Sequence, residues 1–255
     1  MSKIGFYERR RRKTMVDLSK YTKDNIGKLF DYSVLPKNTD EKDIRQGCRD
    51  AVKYNCAAFY ASSPFWLPVM KEELKGSDVL PAAAINFPFG SSTPSVKAFE
   101  TEEAIKLGAR SVDTVMNIGA LKDGKYDVIK EELRLFKEAA EDALTKYILE
   151  VAFLTDEEIS IACELVAEIG IDYAKTASGQ FDGPSMDQFL IMKQTLENTD
   201  IKLKVAGVKF PRPQNAYCFI MAGAELIGTR AAPEIIDALD KMRAIGIVPE
   251  YAGAS

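Results

Sequence analysis

The sequence predicts an α/β fold: a single-domain (β/α)8 TIM barrel with a short N-terminal helical extension. Three observations carry that prediction. The chain has 255 residues, which suits one barrel-sized domain. Along most of that length, apolar strand-like runs alternate with amphipathic helical runs, and eight such pairs are found. One frame also recurs: Gly108–Thr114 reads GARSVDT, Gly170–Thr176 reads GIDYAKT and Gly223–Thr229 reads GAELIGT. Each is a Gly, five residues and a Thr, as equivalent places in a repeated architecture would be.

Taken in order, residues 1–28 read as an N-terminal arm and 29–255 as the barrel. The arm carries the basic run Arg9-Arg10-Arg11-Arg12-Lys13, read as a solvated surface segment. Candidate strands begin near Leu29 (LFDYSVL), Ala57 (AAFYA), Leu80 (LPAAAINF) and Ser111 (SVDTVM). Four more begin near Tyr147 (YILEVAF), Ile171 (IDYAKT), Leu203 (LKVAG) and Glu225 (ELIGT). The helices between them are punctuated. Thr155 and Glu158 form a capping box ahead of EEISIACELVAEI, and Gly170 closes that helix. Thr93 precedes a proline at a first helical turn, and Gly108 ends the segment. Gly223 closes the helix after Pro213, and Asn55 closes the first one. A doubly wound open sheet is the alternative, but no G-x-G-x-x-G follows the first strand.

Composition limits function. The net charge of -4 gives no reason to expect nucleic acid or an anionic membrane as partner. No apolar run is long enough to span a bilayer. Cys48, Cys56, Cys163 and Cys218 are scattered without a C-x-x-C, and read as reduced, cytoplasmic thiols used in packing. The chain contains no histidine. Ser-His-Asp and Cys-His mechanisms are therefore excluded, as is a His-ligated metal site. An enzyme built from this sequence works with Lys, Asp, Glu, Tyr or Cys.

The recurring frame supplies candidates. A helix-capping Gly fixes its register, so the sixth residue falls near the carboxyl end of each strand. Those residues are Asp113, Lys175 and Gly228, with Tyr60 in a looser match on the second strand. Alternate strands of a barrel contribute one inward layer, so the four share a layer near the mouth. In IKLKVAG, Lys202 and Lys204 lie on one face by period-two alternation, with Lys204 at the top beside Lys175. Burial and a neighbouring cation both lower the proton affinity of an amine. A neutral lysine attacks carbonyls to form a Schiff base, and Asp113 is placed to move protons. Taken singly, each lysine reads as a strand end paired with an acid such as Asp172. Two lysines on adjacent strands with an aspartate in the same layer favour the working amine. The loops VAGVKFPRP and GTRAAPE follow strands seven and eight, where barrels often bind phosphate. Gly207 and Gly228 admit an anion to the backbone there, and Lys209, Arg212 and Arg230 add charge.

Four stretches, VDTVMNIGALKDGKYD, LEVAFLTDEEI, DYAKTASG and FPFGSSTPSVKAFETEEAI, resemble the deoxyribose-phosphate aldolase family of class I aldolases. The resemblance runs from about Leu29 to Gly228. It implies a (β/α)8 fold and reversible cleavage of 2-deoxyribose 5-phosphate to glyceraldehyde 3-phosphate and acetaldehyde, with no metal and no cofactor. It implies Lys175 as the Schiff-base lysine, Lys204 as the lysine that tunes it, and Asp113 as the proton shuttle. It also implies substrate or phosphate contacts at Asp31, Ser178, Gly179, Gly207, Gly228 and, by position, Arg230. The sequence departs from the family where Tyr32 replaces a histidine, Val208 replaces the second glycine after strand seven, and Arg230-Ala231 replaces two serines. ASSPFW, with Trp66, replaces an Asn-Pro segment, and Tyr251 is the candidate for a tyrosine that some members carry at the C-terminus. A related aldolase for another phosphorylated sugar, or a non-catalytic barrel that binds ligands, are the other readings. The partners expected are small phosphorylated sugars and aldehydes, and a homodimer.

Overall fold

The computed structural model describes residues 15–61 and 63–253. The basic run at residues 9–13 lies outside them. Eight parallel strands close into a barrel in sequence order, β1 to β8. They are Phe30–Val34 (β1), Ala58–Ala61 (β2), Leu80–Ile85 (β3), Ser111–Val115 (β4), Leu144–Ile148 (β5), Tyr173–Lys175 (β6), Lys202–Ala206 (β7) and Leu226–Thr229 (β8). Helices fill the crossovers: Glu41–Lys53 (α1), Leu67–Glu73 (α2), Pro94–Leu107 (α3), Ile118–Lys122 (α4), Tyr126–Ala139 (α5), Asp156–Ile169 (α6), Met186–Thr195 (α7) and Arg212–Ala222 (α8). Ala232–Asp237 (α9) and Leu239–Ala244 (α10) follow β8.

Strands buried on both faces explain the near-continuous apolar runs of the sequence. All five residues of β4 are buried. The helices present apolar faces to this cylinder, and one contiguous core joins Ile44, Leu133, Val166 and Ile220 to Phe59, Val112, Tyr147 and Ile227. Before β1, short 3₁₀ turns at Leu18–Lys20 and Ile26–Leu29 bury Leu18 and Ile26 in that core.

The punctuation read from the sequence is present. Thr155 and Glu158 form a reciprocal capping box on α6, and Gly170 ends the helix in the left-handed region at φ 77°. Gly108 ends α3 at φ 109°. Asn55 follows α1 at φ 51°. Thr93 occupies the N-cap of α3 without a side-chain capping bond, and its hydroxyl meets Ser95 Oγ at 3.2 Å instead. The last crossover helix begins at Arg212, one residue before the expected proline.

Two expectations are corrected. The fifth strand begins at Leu144 and ends at Ile148, three residues ahead of the YILEVAF reading. Glu150 has φ 54° and ψ 57°, which turns the chain out of the sheet, and Val151–Phe153 forms a 3₁₀ turn. Tyr251 does not line the cavity at the barrel mouth. Its ring packs against the Arg243 guanidinium at 5.7 Å, and the next N–H, of Ala252, donates to Ser19 O at 2.9 Å.

A buried polar cluster fastens helices to the barrel. Lys97 on α3 pairs with Glu132 on α5 at 2.7 Å, both fully buried. Lys97 also donates to Val115 O at 2.7 Å, and Tyr147 Oη donates to Glu132 Oε1 at 2.6 Å. Cys48, Cys56 and Cys163 are buried and Cys218 is exposed, all as free thiols. Burial pushes the Cys48 and Cys56 thiols up to about 12, so both are inert packing groups. No described helix is long and apolar enough to cross a membrane.

Candidate active site

Charged side chains from five strands converge inside the carboxyl end of the barrel. In-register pairing brings them there: Lys175 on β6 lies beside Lys204 on β7, and Asp113 on β4 lies beside Lys146 on β5. Lys175 Nζ donates to Asp113 Oδ2 at 2.7 Å, and Lys204 Nζ donates to the same oxygen at 2.9 Å. Asp31 on β1 pairs with Lys204 at 2.6 Å and with Lys146 at 3.5 Å. Tyr60 on β2 donates from Oη to Asp113 Oδ1 at 2.6 Å. Lys146 donates to Tyr60 Oη at 2.9 Å and to Ser111 Oγ. Asp172 does not serve the lysines. It accepts from the Thr145 N–H and hydroxyl at 2.8 and 2.7 Å. Lys202 is exposed at the other end of β7.

The charges in this layer are unequal. Lys146, Lys175 and Lys204 face Asp31 and Asp113, three amines against two carboxylates. A buried net charge is costly, so the cluster favours one neutral amine. Lys204 is not that amine. Burial opposes its charge, but ion pairs with Asp113 and Asp31 outweigh burial and hold its proton more tightly than usual. Burial lowers the proton affinity of Lys146 too, but Lys146 is fully enclosed, and the lowered amine that reaches the cavity is Lys175. Burial, opposed by Asp113 and assisted by Lys204, brings it down to about 8. It is also the most accessible of the three, 6% exposed against 1% for Lys204 and 0% for Lys146. Burial works against the Asp113 carboxylate, but Lys175, Lys204 and Lys146 outweigh it and hold Asp113 well below the usual range.

Asp31, Tyr60, Lys175 and Lys204 of this cluster line a cavity of about 620 Å³, whereas Asp113, Lys146 and Ser111 are fully buried behind its lining. Asp31, Ser178, Gly179, Gly207, Gly228 and Arg230 all line it, together with Lys175 and Lys204. Gly228 is required by a close approach: a Cβ there would meet Lys204 Cε at 2.9 Å. The loop after β6 is built from side-chain bonds. Thr176 Oγ1 donates to Ala206 O at 3.1 Å and accepts from Ala206 N at 3.0 Å. Ser178 N donates to Glu150 Oε1 at 2.9 Å, and Gln180 N donates to Ser178 Oγ at 3.1 Å. The N–H groups of Gly179, Gly207 and Arg230 have no protein acceptor among the described residues. Free donors of this kind, grouped at one rim, suit an anion.

The cations at that rim differ. Lys209 pairs with Asp182 at 2.6 Å, and the Arg212 guanidinium lies 4.0 Å from the Phe210 ring centroid. The Arg230 side chain is exposed and makes no ion pair or hydrogen bond among the described residues. Trp66 is not part of the lining. It packs back on the core, edge-on to Phe65 at 4.9 Å.

Three polar groups were not singled out from sequence. Lys146 and Ser111 complete the charge layer. Glu150 is buried at the end of β5, where burial raises its carboxyl, and its Oε2 has no hydrogen-bond partner among the described residues. Correct placement of β5 would have exposed Lys146, since it lies opposite Asp113.

A closed parallel barrel with ionisable groups at the carboxyl ends of its strands has the plan of a barrel enzyme, and the comparisons narrow that class to carbon–carbon lyases of the aldolase type. The model of the DeoC/LacD family aldolases matches residues 26–212, and this chain belongs to that family. It is 38% identical over 215 residues to a deoxyribose-phosphate aldolase of Clostridium tetani, covering 83% of this chain and 98% of that protein. A deoxyribose-phosphate aldolase of Streptococcus sanguinis is also 38% identical, over 212 residues, covering 83% and 95%. Among solved structures, "QR15, an Aldolase" superposes with a TM-score of 0.79 at 29% identity, covering 87% of this chain and 99% of that one. A tetrameric deoxyribose phosphate aldolase from Aeropyrum pernix shares the fold at a TM-score of 0.79 and 20% identity, covering 87% and 93%.

Proposed function

We propose that this protein reversibly cleaves 2-deoxy-D-ribose 5-phosphate to D-glyceraldehyde 3-phosphate and acetaldehyde through a Schiff base on Lys175. The observation that carries the proposal is the surplus amine: three buried lysines around two carboxylates, with the most accessible one brought down to about 8. The names of the relatives supply the substrate.

The neutral Lys175 amine attacks C1 of the open-chain sugar. Loss of water from the carbinolamine leaves a protonated imine, which serves as the electron sink that a metal would otherwise supply. The C3 hydroxyl gives up its proton, the C2–C3 bond breaks, and its electron pair passes to the imine as an enamine. Glyceraldehyde 3-phosphate leaves. Protonation of the enamine carbon and addition of water then free acetaldehyde and the amine. Asp113, at 2.7 Å from Lys175, carries protons to and from these centres. Lys204 stays charged and disfavours protonation of Lys175. Gly179, Gly207 and Gly228, with Ser178 and Arg230, bind the phosphate. Asp31 holds Lys204 and borders the donor end of the substrate.

The wider reading is a homodimer in the cytoplasm, acting on small phosphorylated sugars and aldehydes; the free thiols are in keeping with a reducing compartment. A coupled assay for released glyceraldehyde 3-phosphate tests the proposal. Turnover of 2-deoxyribose 5-phosphate well above that of other phosphorylated sugars is expected. A preference for a different sugar phosphate would transfer the proposal to a related aldolase, a reading that Arg230 motivates.

A further inference from the structure

We infer that Tyr60 is a positioning residue for the aldol chemistry: its hydroxyl locks the Asp113 carboxylate, and its ring supports the Lys204 ammonium. The inference rests on the Schiff-base reading of Lys175 and assigns a task to a residue that reading leaves idle. Tyr60 is buried and lines the cavity floor. Its Oη donates to Asp113 Oδ1 at 2.6 Å, accepts from Lys146 at 2.9 Å and meets Ser111 Oγ at 3.0 Å, so the charged carboxylate is the stronger acceptor for its proton. Asp113 Oδ2 receives Lys175 and Lys204. The two carboxylate oxygens are thus assigned separate work. One is held by a neutral donor at 2.6 Å, with Lys146 farther off at 3.7 Å, and the other faces the reacting amine. A carboxylate clamped this way cannot turn between its partners as protons move, which is the orientation that proton transfer needs. The Tyr60 ring lies 4.4 Å from Lys204 Nζ and 5.9 Å from Lys175 Nζ, so its face favours the ammonium that must stay charged. Burial and both carboxylates keep the phenol protonated, well above its ordinary value.

The consequence is a pH effect with a definite sign. Lys175 faces Asp113 from β4, Lys204 from β7 and Asp31 from β1, with Lys146 and Glu150 contributed by the β5 segment. Of these, Asp113 is the group to which Tyr60 donates; Lys146 donates to the same hydroxyl, and Lys204 lies against the ring, which phenylalanine keeps. A donated hydroxyl disperses negative charge on Asp113. Its removal concentrates that charge opposite Lys175 and makes the amine hold its proton to higher pH.

The test compares Tyr60→Phe with the parent chain in kcat/KM profiles for 2-deoxyribose 5-phosphate, with borohydride trapping of the parent in parallel. The phenylalanine keeps the ring and loses only the hydroxyl. A kcat lowered about tenfold or more is expected, with KM within about twofold and the acidic limb moved up by about one pH unit. Replacement of Tyr60 by 3-fluorotyrosine, whose phenol is a stronger donor of nearly the same shape, should move the limb down. Unchanged kcat and an unmoved limb in Tyr60→Phe, or no downward movement with fluorotyrosine, would overturn the inference. If the parent is trapped at Lys175 and these profiles do not move, Tyr60 alone loses its role. A parent that is not trapped contradicts the Schiff-base reading and the role of Tyr60 with it.

Discussion

Lys175 and Lys204 lie side by side on β6 and β7 and present their ammonium nitrogens to one oxygen, Asp113 Oδ2, at 2.7 and 2.9 Å. Their environments nevertheless push them apart. Lys204 is gripped by a second carboxylate, Asp31, and keeps its proton, whereas Lys175 stands at the cavity with a lowered proton affinity.

Loss of Lys204 should raise the proton affinity of Lys175. In Lys204→Met, Asp113 loses one of its cations and interacts more strongly with Lys175. The acidic limb of kcat/KM should move above 8 toward the ordinary lysine value of 10.5. Activity at pH 7 should fall by about tenfold for each unit of that movement. An unmoved limb would rule out electrostatic tuning by Lys204.

Lys175 should weaken the fold that it serves. Its proton is held to about 8 in the fold and to 10.5 ordinarily. Below pH 8 the amine is protonated in folded and unfolded chains, and the fold bears the full burden, about 3 kcal/mol. Between those two values the unfolded chain binds a proton that the fold does not, so stability rises with pH. Lys175→Met should therefore abolish activity and remove this rise in stability between pH 8 and pH 10.5. Denaturant melts of both chains at pH 7 and pH 10 check this. A parent chain that gains no more stability than the variant between those two pH values would contradict it.

Arg230 should matter only to phosphorylated substrates. Its guanidinium is exposed at the cavity rim and unpaired among the described residues. Arg230→Ala should raise KM for 2-deoxyribose 5-phosphate by about tenfold to a hundredfold, the loss of a charge-assisted contact. Turnover of unphosphorylated 2-deoxyribose should not change. An equal loss on both sugars would place Arg230 outside phosphate binding.

The Lys97–Glu132 pair should show strong coupling. Both side chains are fully buried, 2.7 Å apart. Lys97→Met alone leaves Glu132 with Tyr147 as its remaining side-chain partner and should cost roughly 3–5 kcal/mol. Adding Glu132→Leu should restore most of that stability. A double variant that adds the two single losses would show that the pair acts independently.

Much of this arrangement was legible in the sequence because a barrel imposes strict rules. The Gly-x5-Thr frame marks helix end, strand and strand mouth. It therefore placed Asp113 and Lys175 at one height, and period-two alternation put Lys202 and Lys204 on one face, with Lys204 the nearer to the mouth. Lys146 escaped because the apolar run YILEVAF drew the fifth strand three residues too late. Only the left-handed backbone at Glu150 reveals where that strand must stop. The task of Asp31 was hidden for a different reason. Its contacts to Lys204 and Lys146 cross the barrel between strands far apart in sequence, and no local pattern records them. Tyr251 misled because its position in the chain says nothing about the direction of the tail, which Ser19 and Arg243 fix.

The central claim is that Lys175 is the amine that bonds to substrate. Incubation with 2-deoxyribose 5-phosphate or acetaldehyde, reduction with borohydride and peptide mass spectrometry test it directly. The predicted result is a single reduced adduct on Lys175 that appears with increasing pH around 8. An adduct on Lys204 or Lys146 instead, or turnover without any trapped lysine, would contradict it.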